Sequence, residues 1–148
     1  MFACASCLLR SFSRTIFSTS SRCLGEQAQA PLHILLVEDH VDTRETLARL
    51  LHRYGYQVDT AQDAKTACEK AARNQFDMFI SDIGLPDGSG YDLIQRLLRH
   101  QPVPSISLSG FGMESDFQKS RAAGFSEHLV KPLDFKLLRE TIERLRAA

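Results

Sequence analysis

PLHILLVEDHVDTRETLARLLHRYG, running from Pro31 to Gly55, holds a strand and a helix complete with their punctuation. Leu32 to Val37 is a continuous apolar run broken only by His33, as expected for a strand covered on both faces. Glu38 and Asp39 close it. Asp42 and Glu45 then stand as an aspartate version of a capping box, Leu47, Leu50, Leu51 and Tyr54 recur at helical spacing, and Gly55 stops the helix. A buried strand that leads straight into an amphipathic helix belongs to the βαβ repertoire and a parallel sheet.

The alternation continues to the C-terminus. Gln57 to Thr60 predicts a second strand, and Asp63 opens a second helix with a small-residue face of Ala64, Ala67, Cys68 and Ala71, which makes Cys68 a core residue. Asp77 to Ser81 predicts the third strand, a Pro86-Asp87-Gly88 loop follows it, and Tyr91, Ile94, Leu97 and Leu98 mark the third helix. Ser105 to Leu108 is expected as the fourth strand, Met113 to Ala123 as a helix ended by Gly124, and Glu127 to Val130 as the fifth strand. Asp134 caps a last helix carrying Phe135, Leu138, Ile142 and Leu145. The class is α/β: a flavodoxin-like, doubly wound, five-stranded parallel sheet of order 2-1-3-4-5 with five helices.

Working outward, residues 31–148 form one domain, and residues 1–30 read differently. Arg10, Arg14 and Arg22 stand among serines against the single acid Glu26, so this leader is either a disordered tail, a mis-assigned start or an organellar transit peptide. It has no 18-residue apolar run and is no membrane helix. Cys4 and Cys7 have the spacing of half a zinc site without a second pair, and with Cys23 they precede the folded pattern, so neither a structural metal nor a disulfide framework is expected. Eighteen basic residues balance eighteen acidic ones, so no bulk field draws nucleic acid or a membrane surface. The expected compartment is reducing and cytoplasmic, or an organellar matrix if the leader is a transit peptide.

In open α/β sheets, ligands bind outside the carboxyl ends of the strands, where the strand order reverses. The residues after those ends are Glu38-Asp39, Asp82, Ser109-Gly110 and Lys131-Pro132. Three carboxylates brought within a few ångströms repel one another, so keeping them ionised calls for a cation, and Mg²⁺ is the hard, oxygen-seeking choice. An aspartate carboxylate can act as the nucleophile of phosphoryl transfer and form an acyl phosphate. Asp82 is the candidate nucleophile, with Lys131 and Ser109 as donors to phosphoryl oxygens and Gly110 leaving room for the incoming group. His40 stands beside the acidic pair, but Mg²⁺ prefers oxygen, so His40 is assigned to solvent.

The motifs LLVED (Leu35–Asp39), SDIGLPDG (Ser81–Gly88), LSG (Leu108–Gly110) and VKP (Val130–Pro132) together resemble the receiver domain of response regulators and hybrid sensor kinases over residues 32–146. The resemblance implies that Asp39 and Asp82 bind Mg²⁺ directly, Glu38 through water and Gly84 through its backbone carbonyl. It also implies 4-aspartylphosphate at Asp82, a switch residue at Ser109 and a cis Lys131-Pro132 bond. Many receivers carry an aromatic switch residue three places before the lysine. Here the position holds His128, whose imidazole either moves or stays as a static strand-end residue.

The implied function is phosphorelay signalling: a histidine kinase or histidine phosphotransfer protein hands a phosphoryl group to Asp82, and the added charge shifts a conformational equilibrium. The domain is expected to be a switch that assists only its own phosphorylation and dephosphorylation. No output domain follows Ala148 in this sequence, so the expected readout is a downstream protein target on helix four, strand five and helix five, with a phosphorylation-dependent dimer among the partners to test for. Two other readings stay open. One is an Mg²⁺-dependent aspartyl-phosphate phosphohydrolase, which would need a second acid where Gly84 stands; the other is a phosphorylation-independent interaction module.

Overall fold

The computed structural model describes residues 30–110, 112 and 114–148; the leader, with Cys4, Cys7 and Cys23, and Met113 lie outside the described residues. The elements are β1 (His33–Val37), α1 (Val41–Arg53), β2 (Gln57–Ala61), α2 (Ala64–Arg73), β3 (Met78–Asp82), β4 (Gly84–Leu85), β5 (Gly88–Ser89), α3 (Gly90–His100), β6 (Ser105–Ser109), α4 (Glu114–Ala123), β7 (Glu127–Val130) and α5 (Phe135–Ala147). The main sheet is wholly parallel in the order β2-β1-β3-β6-β7. Counting only its five strands, this is the expected order 2-1-3-4-5. The additional β4 and β5 form a two-residue antiparallel ladder in the loop after β3.

Period-two alternation sorts the strand residues onto two faces. Ile34, Leu36, Met78, Ile80, Ile106 and Leu108 pack beneath α1 and α5, where Leu47, Leu51, Leu138 and Ile142 meet them. Leu35, Val37 and Phe79 face the other way, onto Ala67 and Ala71 of α2 and Leu93, Ile94 and Leu97 of α3. Cys68 is partly buried against that second cluster, as the sequence implied.

The caps agree with expectation at Asp63, whose Oδ1 accepts from the Thr66 amide at 2.7 Å, and at Asp134, whose Oδ1 accepts from Lys136 at 2.8 Å. Gly55 ends α1 at φ 89°, a left-handed conformation that suits glycine. The expected capping box on α1 is not formed. His40 is the N-cap without a side-chain cap, and Asp42 lies inside the first turn. Arg44 accompanies the shift: its guanidinium donates to the carbonyls of Glu38 (2.8 Å) and Asp39 (3.2 Å), while its amide donates to the carbonyl of His40 (2.9 Å), so the helix starts two residues early.

Tyr56 ties α1 to α5. It is 5 % exposed, and its hydroxyl donates to the Glu143 carboxylate. Burial, and then the bond to Glu143, push the phenol far above the usual tyrosine value. A folded state that keeps this proton longer than the unfolded chain loses stability as pH rises past about 10, the unfolded value. Tyr56→Phe is therefore expected to flatten the fall of the thermal midpoint between pH 9 and pH 11 while lowering stability at pH 7 by about 1 kcal/mol. A parallel fall in both proteins would contradict it.

The seat of α4 is unlike the others. Ser105, Ser107 and Ser109 alternate with Ile106 and Leu108 along β6, all five buried. From α4 itself only Ser120 and Ala123 are buried, and Ser107 Oγ donates to Ser120 Oγ at 3.3 Å. Polar contacts thus replace part of the apolar anchoring that holds the other helices.

Candidate functional site

The sheet register fixes which side chains can meet. Val37 lies opposite Ser81, Asp82 opposite Leu108, and Ser109 opposite Val130. Glu38, Asp82, Ser109 and Lys131 therefore step around one carboxyl rim, at the point where the chain turns from β1–β2 to the other half of the sheet. Lys131 is anchored there by its amide, which donates to the Ser109 carbonyl at 2.7 Å, and the Lys131-Pro132 bond is cis as the resemblance implied.

The Lys131 ammonium donates to Asp82 Oδ2 and to Glu38 Oε2, each at 2.7 Å. The Glu38 side chain is fully buried, whereas a quarter of the Lys131 side chain and 11 % of the Asp82 side chain remain exposed. Burial raises the Glu38 carboxyl above its ordinary value, although Lys131 pulls the other way. Burial opposes the Lys131 charge too, but its bonds to Asp82 and Glu38 outweigh that and hold the ammonium above the usual lysine value. For Asp39, burial is outweighed by bonding to Glu38 and by the charge of His40, so its carboxyl sits below the ordinary range.

One part of the site differs from expectation. His40 is exposed but not left to solvent: its Nδ1 lies 2.9 Å from Asp39 Oδ1 and 3.3 Å from Glu38 Oε1. Gly110 borders open space, since a Cβ built there would meet nothing within 4 Å. Gly84 adjoins Asp82. Its amide donates to Asp82 Oδ1 at 3.0 Å, and a Cβ at that position would stand 4.0 Å from the same oxygen.

His128 is not part of this cluster. It sits under α4, with Nδ1 at 3.0 Å from Ser107 Oγ and 2.7 Å from Ser120 Oγ, its ring 4.5 Å from that of Phe117, and Nε2 buried without a hydrogen-bond partner.

Sequence reasoning missed Gly90, Arg44 and the Ser107–Ser120 pair. Gly90 opens α3 with its amide on the Ile83 carbonyl at 2.8 Å, and a Cβ there would lie 2.3 Å from the Asp82 carbonyl oxygen and 2.7 Å from Ile83 Cα. These are backbone atoms that cannot swing aside. Gly90→Ala is expected to displace the Asp82 peptide and cost about 1–3 kcal/mol, read by chemical denaturation; an unchanged midpoint would contradict it. The sequence marks a Pro86-Asp87-Gly88 loop just before it, but nothing local signals this close approach at Gly90.

Glu38, Asp39, His40 and Asp82 each offer one donor atom, and the four atoms lie within 4.8 Å of one another. Asp39 Oδ1 is buried and is approached by the His40 imidazole at 2.9 Å. An oxygen-rich cluster with a buried carboxylate oxygen short of backbone donors suits a hard divalent cation such as Mg²⁺. No helix among the described residues is long and apolar enough to cross a membrane.

Residues 34–143 match the response regulator receiver domain family, and the chain belongs to it. It is 37 % identical over 109 residues to the response regulator protein PilR of Pseudomonas aeruginosa, covering 73 % of this chain and 24 % of PilR. The chemotaxis protein CheY4 of Vibrio cholerae superposes with a TM-score of 0.75 at 28 % identity, over 78 % of this chain and 99 % of that one. The response regulator TrrA of Thermotoga maritima, solved in complex with Mg²⁺-BeF, gives a TM-score of 0.70 at 29 % identity, over 77 % of this chain and 98 % of that one.

Proposed function

We propose that the chain is a phosphoacceptor switch in a two-component relay, with Asp82 as the acceptor. The observation that carries this reading is the placement of the Asp82 carboxylate, 2.7 Å from the Lys131 ammonium and beside an acidic pair at the rim of the sheet. The donor is a phosphohistidine on a histidine kinase or a phosphotransfer protein. An Asp82 carboxylate oxygen attacks phosphorus, the P–N bond breaks, and the imidazole of the donor leaves and takes up a proton; the product is an acyl phosphate on Asp82.

Asp39, Asp82 and the Gly84 carbonyl would hold Mg²⁺, with Glu38 acting through water. When bound, Mg²⁺ neutralises charge that would otherwise repel the incoming phosphoryl group. Lys131 shifts from pairing Asp82 to pairing a phosphoryl oxygen, and the Ser109 hydroxyl takes another. Movement of Ser109, next to the polar seat of α4, carries the change to the surface of α4, β7 and α5, where a partner protein reads it. The hydrolase reading needs a general acid beside Asp82, and Gly84 supplies no side chain.

The test incubates the protein with a phosphorylated histidine phosphotransfer protein or a small acyl phosphate and follows intact mass. One added phosphate that requires Mg²⁺ and is abolished by a chelator supports the reading. No uptake from any donor favours a phosphorylation-independent module, and steady release of phosphate from many esters favours a hydrolase.

A further inference from the structure

We infer that His40 is a nitrogen ligand of the divalent ion at the acidic rim, which broadens the site from Mg²⁺ toward ions that accept imidazole, such as Mn²⁺. This rests on the metal-binding reading above and names a residue that reading does not use. Its basis is geometric. Around an octahedral ion with bonds of about 2.1 Å, neighbouring ligand atoms stand about 3 Å apart and opposite ones about 4.2 Å. His40 Nδ1 lies 2.9 Å from Asp39 Oδ1 and 3.3 Å from Glu38 Oε1, and the four donors of Glu38, Asp39, His40 and Asp82 all fall within 4.8 Å. The His40–Asp39 spacing is that of neighbouring ligands, while the 4.8 Å span of the group exceeds that of opposite ones, so an ion held by Asp39, Asp82 and His40, with Glu38 through water, would draw the exposed imidazole inward.

His40 Nδ1 is held in the group by pairing with Asp39 Oδ1 at 2.9 Å and Glu38 Oε1 at 3.3 Å, which keeps the nitrogen at the rim where an ion would replace its proton. Glu38 supports the imidazole from behind: Oε2 is taken by Lys131, whereas Oε1 faces His40. The imidazole is 72 % exposed on its side chain and can settle onto an ion without disturbing the core. Carboxylates alone suit Mg²⁺, Ca²⁺ and Mn²⁺, while an imidazole in the shell favours the later first-row ions in the order of their affinity for nitrogen.

The experiment uses the full chain, Mn²⁺ as the probe, and pulsed electron paramagnetic resonance to detect a directly bound ¹⁴N nucleus. The expected result is a strong ¹⁴N coupling in the parent that disappears in His40→Ala, together with a roughly tenfold fall in the Mg²⁺ concentration needed to displace half the Mn²⁺ from that variant. Because His40 is exposed, the variant should fold, which circular dichroism checks. If Mn²⁺ binds, Asp39→Asn abolishes binding, and no ¹⁴N coupling is seen, the inference on His40 fails while the acidic site stands. If the coupling survives in His40→Ala, another nitrogen is the ligand and the inference also fails. If the parent binds no Mn²⁺ at millimolar concentration, both this inference and the metal-dependent reading fall.

Discussion

Asp82→Asn is expected to bring phosphoryl uptake down to background while leaving the fold intact. An amide oxygen at this position is too weak a nucleophile to open the phosphorus–nitrogen bond, and no neighbouring carboxylate shares its place: Glu38 is fully buried, and Asp39 approaches His40. The folded state should not suffer. Asp82 and Glu38 share one ammonium, so making one of them neutral removes a like-charge repulsion and leaves Glu38 paired with Lys131. The thermal midpoint of the variant, measured without Mg²⁺, is expected at or above that of the parent. A large drop would mean that the Asp82 to Lys131 bond holds the fold together, and it would weaken the case that the pair is arranged for chemistry.

Lys131→Ala should behave in the opposite way. Its removal leaves two carboxylates facing each other at the rim, one of them fully buried, with the exposed His40 nearby to offset them only in part. Breaking a buried ion pair by deleting one partner costs about 3–5 kcal/mol, and the partial exposure of the ammonium brings the expectation here to about 2–4 kcal/mol. Added Mg²⁺ should restore part of that loss, because it supplies the missing positive charge. Phosphoryl uptake is expected to fall by about 10²–10³, the usual effect of removing one preorganised donor to the transferring group. Urea unfolding with and without Mg²⁺ reads the first effect, and initial rates of mass gain read the second. A variant as stable as the parent and equally fast would show that the ammonium is a bystander.

These two substitutions bear on residues that the sequence itself singles out, because a parallel sheet with the order 2-1-3-4-5 obliges whatever follows its strands to meet at one rim. Leu32–Val37 and the later apolar runs announce the strands, and Gly55, Asp63 and Asp134 mark helix ends that the structure keeps. Features set by tertiary contact are not legible. Arg44 bonds the carbonyls of the acidic turn where α1 starts early, and no local pattern encodes that. The two-residue strands β4 and β5 are too short to show a period. Nothing in the sequence around Gly90 announces the Asp82 carbonyl that lies against it. His40 escapes a sequence reading for a chemical reason: a preference of Mg²⁺ for oxygen says nothing of where an imidazole at a helix start will lie. His128 also acquires meaning only from its neighbours, since Ser107 and Ser120 come from different elements to hold one ring nitrogen.

The most direct measurement of the central claim is chemical location of the phosphoryl group. The protein is loaded from a phosphohistidine donor in Mg²⁺, the acyl phosphate is reduced with borohydride, and the modified peptide is sequenced by mass spectrometry. Phosphoryl acceptance at the carboxyl rim predicts that Asp82 alone is converted, and only when both donor and Mg²⁺ were present. Reduction at another carboxylate, or equal labelling without the metal, would contradict it.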